Sequence, residues 1–126
     1  MALVSDGGTP GEREYAARAL RNLACNAANQ VAIASAGGIA PLVALVRDGG
    51  TAGEREQAAA TLTCLAANAA NQVTIASAGG IAPLVALVRD GGTAGERKQA
   101  AAALTKLAAN TSNKVAIASA GFADFN

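Results

Sequence analysis

Apolar positions along the chain follow a helical spacing that glycine-rich turns interrupt at regular intervals. The longest predicted helix covers Arg13–Ala24, where Ala and Leu recur every three or four residues. Thr9–Glu12 (TPGE) precedes it and is typical of a capping box, in which Thr and Glu side chains bond each other's backbone N–H groups. The same pattern predicts further long helices over Arg55–Ala66 and Arg97–Ala108.

Two shorter helices are predicted between consecutive long ones. Asn29 is a suitable N-cap for a short helix over Gln30–Ser35, which a Gly-Gly pair ends. A medium helix then begins at Ile39 and ends at Arg47, with Pro41 in the first turn, where proline is tolerated. The order short, medium, long predicts an all-α fold.

The whole pattern recurs with a period of 42 residues, the spacing from Gly37 to Gly79. Residues 37–78 and 79–120 are identical at 35 of these 42 positions, and residues 1–36 differ from 43–78 at only ten. Such self-similarity indicates a solenoid in which each repeat buries its apolar face on its neighbours. We therefore predict one domain over 1–126, comprising a partial repeat (1–36), two repeats (37–78 and 79–120) and a non-repeat tail (121–126).

Composition supports helices and disfavours several kinds of partner. Hydrophobic residues make up 52% of the chain, many of them Ala, and aromatic residues only 2%, which is too few for a typical β-sandwich core. The net charge of +1 and the absence of a basic cluster argue against nucleic acid. No apolar run approaches the roughly 20 residues of a membrane span, and the N-terminus does not resemble a signal peptide. We expect a cytoplasmic protein, with the nucleus as the alternative compartment.

Side chains that support catalysis or metal binding are scarce. The chain has no His, and two Cys do not make a zinc site. Cys25 and Cys64 are predicted to lie on neighbouring helices about 8–10 Å apart, too far for an unstrained disulfide, and to be free thiols. The glycine-rich loop Asp48–Glu54 lacks the Gly-Lys-Ser/Thr ending of a phosphate loop. We predict no enzymatic activity, no cofactor and no metal.

The chain combines the 42-residue period and the order of the three helices with the segments Ala36–Val46 (AGGIAPLVALV) and Ala16–Ala24 (AARALRNLA). On these features it resembles the armadillo repeat family. The resemblance covers residues 1–120 and is closest to the repeats of plant U-box ubiquitin ligases and vacuolar-type armadillo proteins. It implies a right-handed α-solenoid, the armadillo superhelix, built from three-helix repeats. It also implies that the third helices line a concave groove for a protein or peptide.

Peptide-binding members of that family carry a Trp and an Asn four residues apart along the groove. These positions correspond here to Arg18 and Asn22, Ala60 and Cys64, and Ala102 and Lys106. Only Asn22 matches, and the chain has no Trp. The resemblance therefore does not extend to the extended-peptide mode of nuclear-import receptors.

The positions that differ among repeats point to the same groove. At 100° per residue, the variable positions of the long helix share an arc of about 120°, and the unchanged Ala and Leu positions lie opposite. We predict that this arc binds a partner; drift on an unused surface is the alternative. Lys98 and Lys106 predict an acidic partner segment across the third repeat. The candidate residues are Glu14, Tyr15, Arg18, Arg21, Asn22, Glu56, Gln57, Cys64, Lys98, Gln99 and Lys106.

The ends of the array leave other functions open. Leu20 and Leu23 are expected to be partly exposed at one end, and Val115 and Ile117 at the other, where only the short helix 114–119 remains. The chain is then a fragment of a longer array or a module that stacks on itself through uncapped ends. Alternatively, two aromatic residues fold back as a cap, Phe122 and Phe125. A further alternative is the substrate-recognition part of a ubiquitin ligase.

Overall fold

Residues 9–122, which the computed structural model describes, form eight α-helices and no β-strand. Equivalent helices begin 42 residues apart, as at Ala27 and Ala69. The remaining residues, which include Phe125 and the start of the first partial repeat, lie outside this description. In chain order the helices are α1 (Pro10–Leu23), α2 (Ala27–Ser35), α3 (Ile39–Asp48), α4 (Ala52–Leu65), α5 (Ala69–Ser77), α6 (Ile81–Asp90), α7 (Ala94–Leu107) and α8 (Thr111–Ser119).

The long helices α1, α4 and α7 begin at the predicted Thr caps. Thr9 Oγ1 accepts a hydrogen bond from Glu12 N at 3.2 Å, and Glu12 Oε1 accepts one from Thr9 N at 2.9 Å, which completes the capping box. The start of α7 repeats both bonds. At the start of α4 only one forms, from Glu54 N to Thr51 Oγ1 at 3.1 Å. The capping box is therefore confirmed at two starts and incomplete at the third.

The short helices begin three residues before the predicted start. Asn26, not Asn29, is the N-cap of α2, because its Oδ1 accepts hydrogen bonds from Ala28 N at 2.9 Å and Asn29 N at 3.2 Å. Asn29 lies inside the helix, where its side chain donates to Leu23 O at 3.0 Å. Two asparagines are available in each such turn, and the first one captures the unpaired backbone donors.

Glycine sets the angle between the short and medium helices. Gly37 has φ of 79°, a left-handed conformation that favours glycine, and Gly38 N donates to Ile33 O at 2.9 Å. The two helix axes consequently meet at 83° between α2 and α3, and at 82° between α5 and α6. This confirms the predicted Gly-Gly break.

The long helices pack side by side, α1 on α4 and α4 on α7, while α3 covers α4 and α6 covers α7. Small side chains lie between the long helices, such as Ala17 and Ala58, which are both fully buried. Larger residues fill the layer between the long and medium helices and stabilise it by apolar burial. The largest fully buried apolar side chains are Leu42, Leu62, Leu65, Ile75, Leu84, Leu104, Leu107 and Ile117.

Expectations for the exposed ends hold in part. Leu23 is 52% exposed, whereas its equivalents Leu65 and Leu107 are fully buried. Ile117 is fully buried, so its predicted exposure is wrong. It belongs to α8, and its side chain is part of the core cluster. Val115 is exposed, but so are the equivalents Val31 and Val73, which makes this a property of the position in every repeat.

Phe122 lies in the place of Gly80 in the preceding repeat and is buried in the core cluster, as a folded-back cap requires. Its backbone N donates to Ile117 O at 3.2 Å, as Gly80 N donates to Ile75 O at 2.9 Å. The helix-ending turn is therefore kept while the side chain changes.

No single helix within residues 9–122 is both long and apolar enough to span a membrane. The two bent pairs α2–α3 and α5–α6 are long and apolar enough only when each pair is taken together.

Candidate binding face of the long helices

The variable side chains of α1, α4 and α7 form the candidate face, and their exposure varies along it. Tyr15 is 73% exposed, and Arg18, Asn22, Lys98 and Lys106 are also exposed. Half-buried positions are Glu14, Arg21, Glu56, Cys64 and Gln99. The structure thus brings ten of the eleven candidates to the surface, at least in part.

Gln57 is the exception, because it is only 7% exposed and does not present its side chain to a partner. The predicted arc is too wide on this side, where α4 packs against α1. There Thr61 Oγ1 donates to Gln57 O at 2.8 Å and to Ala17 O of α1 at 3.2 Å. Within the described residues, Gln57 Oε1 is buried with no hydrogen-bond partner.

Two glutamates of the face lie against the first turn of the next long helix. The carboxylate of Glu14 occupies the space where a Cβ on Gly53 would sit, and Glu56 does the same at Gly95. A helix N-terminus carries a partial positive charge, so a carboxylate is favourable there. Glu14 is also 3.6 Å from Arg18 in an i,i+4 ion pair. These acids therefore serve contacts between repeats as well as the surface.

Lys98 holds the equivalent position in α7, so the third repeat reverses the charge. Neither Lys98 nor Lys106 forms a salt bridge within residues 9–122, and both are exposed. The first repeat of the face thus carries one acid with two bases, the second an acid alone, and the third two bases alone.

An open pocket of about 260 Å³ lies on the face where the long helices end. It gathers side chains from three repeats, since Cys25 follows α1, Cys64 lies in α4 and Lys106 lies in α7. Burial raises the pKa of Cys64 above its usual value, and the Cys25 thiol raises it further, while positively charged Arg21 and Lys106 act in the opposite direction. Lys106, which lines this pocket, brings positive charge to it and suits an acidic ligand group.

Cys25 and Cys64 lie closer together than predicted. Their sulfur atoms are 3.6 Å apart, and Cys25 Sγ also lies 3.5 Å from Arg21 O. The expectation of widely separated thiols was wrong because it used the spacing of helix axes. The two side chains extend towards each other from opposite sides of that gap, and Cys25 lies in the turn after α1. Neither cysteine forms a disulfide bond in this structure.

Two ion pairs that the sequence analysis missed join consecutive long helices beside this face. Arg13 Nε lies 3.2 Å from Glu54 Oε2, and Arg55 Nε lies 2.7 Å from Glu96 Oε2. Burial alone would raise the pKa of Glu96, but hydrogen bonding and charge from Arg55, with bonds from Thr93, bring it below its usual value. The sequence signal for these ion pairs was one Arg and one Glu that recur in every repeat. It was missed because the Glu had already been assigned to the capping box.

Metal-binding chemistry finds no support in this part of the chain. No group of three or more Cys, Asp or Glu side chains within residues 9–122 is arranged to hold an ion.

Comparison with solved structures identifies the architecture. An engineered protein from a structural genomics consortium superposes with a TM-score of 0.88 at 30% identity, over 94% of this chain and 49% of that chain. A designed armadillo repeat protein gives 0.86 at 27% identity, over 94% and 50%. The chain has an armadillo-like repeat fold.

A second designed armadillo repeat protein, solved in complex with the peptide (KR)4, matches this armadillo-like fold with a TM-score of 0.86 at 26% identity. It is covered over 51% of its length, so the chain spans about half the length of these three neighbours. No family model and no curated protein matches the chain.

Proposed function

We propose that the chain is a protein- or peptide-binding scaffold rather than an enzyme. Its long helices line the concave side of a right-handed superhelix of three-helix, 42-residue repeats. The observation that carries this proposal is the open pocket, where side chains from three repeats converge and Lys106 supplies positive charge. A structural neighbour in complex with a peptide supports the same use of the fold.

The proposed partner is a protein or peptide segment with an acidic residue at the third repeat. Lys98 and Lys106 are exposed and form no salt bridge in the described part of the chain, so an acidic group meets no competing carboxylate. Such exposed pairs contribute about 0.2–1 kcal/mol each, so several contacts must act together. Tyr15, 73% exposed, offers an aromatic contact at the other end of the face.

The experiment measures binding of two labelled peptides by fluorescence anisotropy, the alternating Lys-Arg peptide and an alternating Glu-Asp peptide of the same length. We expect the acidic peptide to bind and salt to weaken it. Lys106→Glu should reduce its affinity by about 3–10-fold, because charge reversal replaces an attraction with a repulsion. Arg47→Glu on α3 is the matched control, since it changes the net charge equally but lies outside the face. Equal losses in both variants would reject the proposed orientation.

A second candidate function, self-association through the ends of the array, has its own observation. Glu54 and Glu96 are fully buried, and each forms an ion pair with an Arg of the preceding repeat. Glu12, at the start of α1, is exposed. Arg97, the third Arg of the series, is exposed and has no carboxylate partner within residues 9–122. A second copy stacked head to tail would pair Arg97 with Glu12, a heterologous contact that can continue indefinitely.

Light scattering across a concentration series tests this second candidate. Arg97→Glu should abolish any growth in mass, and adding Glu12→Arg should restore it by exchanging the charges. Lys98→Glu separates the two functions: it should weaken acidic-peptide binding but strengthen stacking, where an acid suits the next helix N-terminus. A constant monomer mass would exclude stacking and leave the peptide-binding proposal intact. The use of these repeats in a ubiquitin ligase is not favoured by any observation on the described residues.

A further inference from the structure

The contact between Cys25 and Cys64 connects two repeats through side chains that line the pocket of the proposed binding face. The sulfur atoms are 3.6 Å apart although the residues are separated by 39 positions in the chain. Cys25 is exposed and Cys64 half-buried, and both line the open pocket, so small reagents reach them.

We propose that Cys25 and Cys64 form a reversible disulfide site that links α1 to α4 across the junction of the first two repeats. Because Cys25 lies in the turn after α1, its backbone is not held by the regular bonds of a helix interior. The sulfur atoms already touch, so small rotations of both side chains bring them to the bonding distance of about 2.05 Å.

The oxidant is a low-molecular-weight disulfide of the glutathione class. The Cys25 thiolate attacks one of its sulfur atoms, which forms a mixed disulfide and releases one small thiolate. The Cys64 thiolate then attacks the Cys25 sulfur, which forms the Cys25–Cys64 bond and releases the second small thiolate. Two electrons pass from the protein to the small disulfide, and the two thiol protons end on the released thiolates or in solvent.

The order of these steps follows from the surroundings of the two thiols. Cys25 is the more exposed and meets the reagent first. Burial and contact with Cys25 raise the pKa of Cys64, against the opposing charges of Arg21 and Lys106. A raised pKa lowers the thiolate fraction of Cys64, so Cys64 suits the second, intramolecular attack, in which its partner is already in contact.

The repeats supply their own controls. Cys25 corresponds to Ala67 in the next repeat, and Cys64 corresponds to Asn22 in the preceding one. Cys25→Ala and Cys64→Asn therefore each introduce a residue that the repeat already accepts at that position. Ala67 and Lys106 stand in the same relationship one junction later, 39 positions apart. Changing both to Cys in the cysteine-free background transplants the pair.

The experiment incubates the full chain in glutathione buffers of increasing oxidised fraction, followed by alkylation, intact mass and tryptic mapping. Trypsin cuts between the two cysteines at Arg47 and Arg55, so a link joins two otherwise separate peptides. We expect loss of two hydrogens, a linked peptide pair in a monomeric chain, and reversal by dithiothreitol. The thermal unfolding midpoint should be higher for the oxidised chain than for the reduced one, because the link closes a loop of the unfolded chain.

Each single-cysteine variant should give only the mixed disulfide with glutathione, and the transplanted pair should link as the natural one does. Mixed disulfides on both cysteines of the wild-type chain, or links only between chains, would overturn the inference. Linking by the transplanted pair alone would overturn it too, while showing that the junction itself has the described geometry.

Discussion

The Arg55 guanidinium and the Glu96 carboxylate join α4 to α7, with 2.7 Å between Nε and Oε2 and only 1% of the Glu96 side chain exposed. Arg55 Nη1 also donates to Gly49 O at 2.6 Å. The Arg55 side chain therefore connects the end of α3 to Glu96 in the next repeat. Arg13 and Glu54 repeat the pair one junction earlier at 3.2 Å. A buried carboxylate is costly unless it is paired, so each of these glutamates depends on the Arg of the preceding repeat.

Removing Arg55 should therefore destabilise the protein more than removing Arg97, its solvent-exposed equivalent in the next repeat. Arg55→Ala is expected to lower the free energy of unfolding by about 2–3 kcal/mol, because Glu96 is left buried without its cation. Arg97→Ala is the control, since Arg97 has the same place in the repeat but no carboxylate partner within the described residues. It should change stability by less than about 0.5 kcal/mol. Similar losses in urea unfolding would show that the ion pair is not the cause.

Glu96 also predicts how stability depends on pH. Its pKa in the folded state lies below its usual value of about 4.3, so folding favours the ionised form. The resulting stabilisation is complete above the unfolded-state pKa and is lost as the pH falls through the folded-state value. The difference in unfolding free energy between wild type and Glu96→Gln should thus shrink from about pH 7 to about pH 3. A difference that stays constant across urea titrations at both pH values would contradict this.

Gly80 should not tolerate a side chain. A Cβ there would lie 2.8 Å from Ile75 Cγ2 and 2.9 Å from Ile75 O, and the carbonyl belongs to the backbone and cannot easily move. Gly80→Ala is expected to cost about 1–3 kcal/mol, measured by denaturant unfolding. At Gly92 the nearest atom to a Cβ is Glu96 Oε1 at 3.7 Å, an ordinary contact. Gly92→Ala should be close to neutral, and an equal cost at both sites would refute a steric origin.

Leu65 and Leu23 occupy the same place in successive repeats but differ in burial. Leu65→Ala should lower the free energy of unfolding by about 2–5 kcal/mol, because its side chain is fully buried. Leu23→Ala, at a position 52% exposed, should cost less than about 1 kcal/mol. Thermal and urea unfolding of both variants check this difference. Equal losses would mean that Leu23 is covered in solution, as stacking of a second copy would require.

The helices and their ends were largely readable from the sequence because they rest on local interactions. Thr9 caps α1 and Gly37 ends the turn after α2 through bonds within a few residues, and such bonds have recognisable sequence patterns. The starts of the short helices were misplaced, as at Asn26 and Asn29, where two residues of the same type compete for the same donors.

The candidate face was only partly readable. Helical angles placed Lys98 and Lys106 on a surface, but they could not show that Gln57 is covered by the neighbouring helix. An angle around one helix describes directions, whereas burial depends on where the next helix stands.

The sequence by itself determined the helices, their breaks and the 42-residue recurrence, because these follow from propensities and hydrogen bonds between residues close in the chain. Only the tertiary structure decided which distant side chains meet: Arg55 with Glu96, and Cys25 with Cys64. These contacts join residues about one repeat apart, and their distances depend on the packing of whole helices. A shift of a few ångströms in that packing would separate either pair without altering any local pattern.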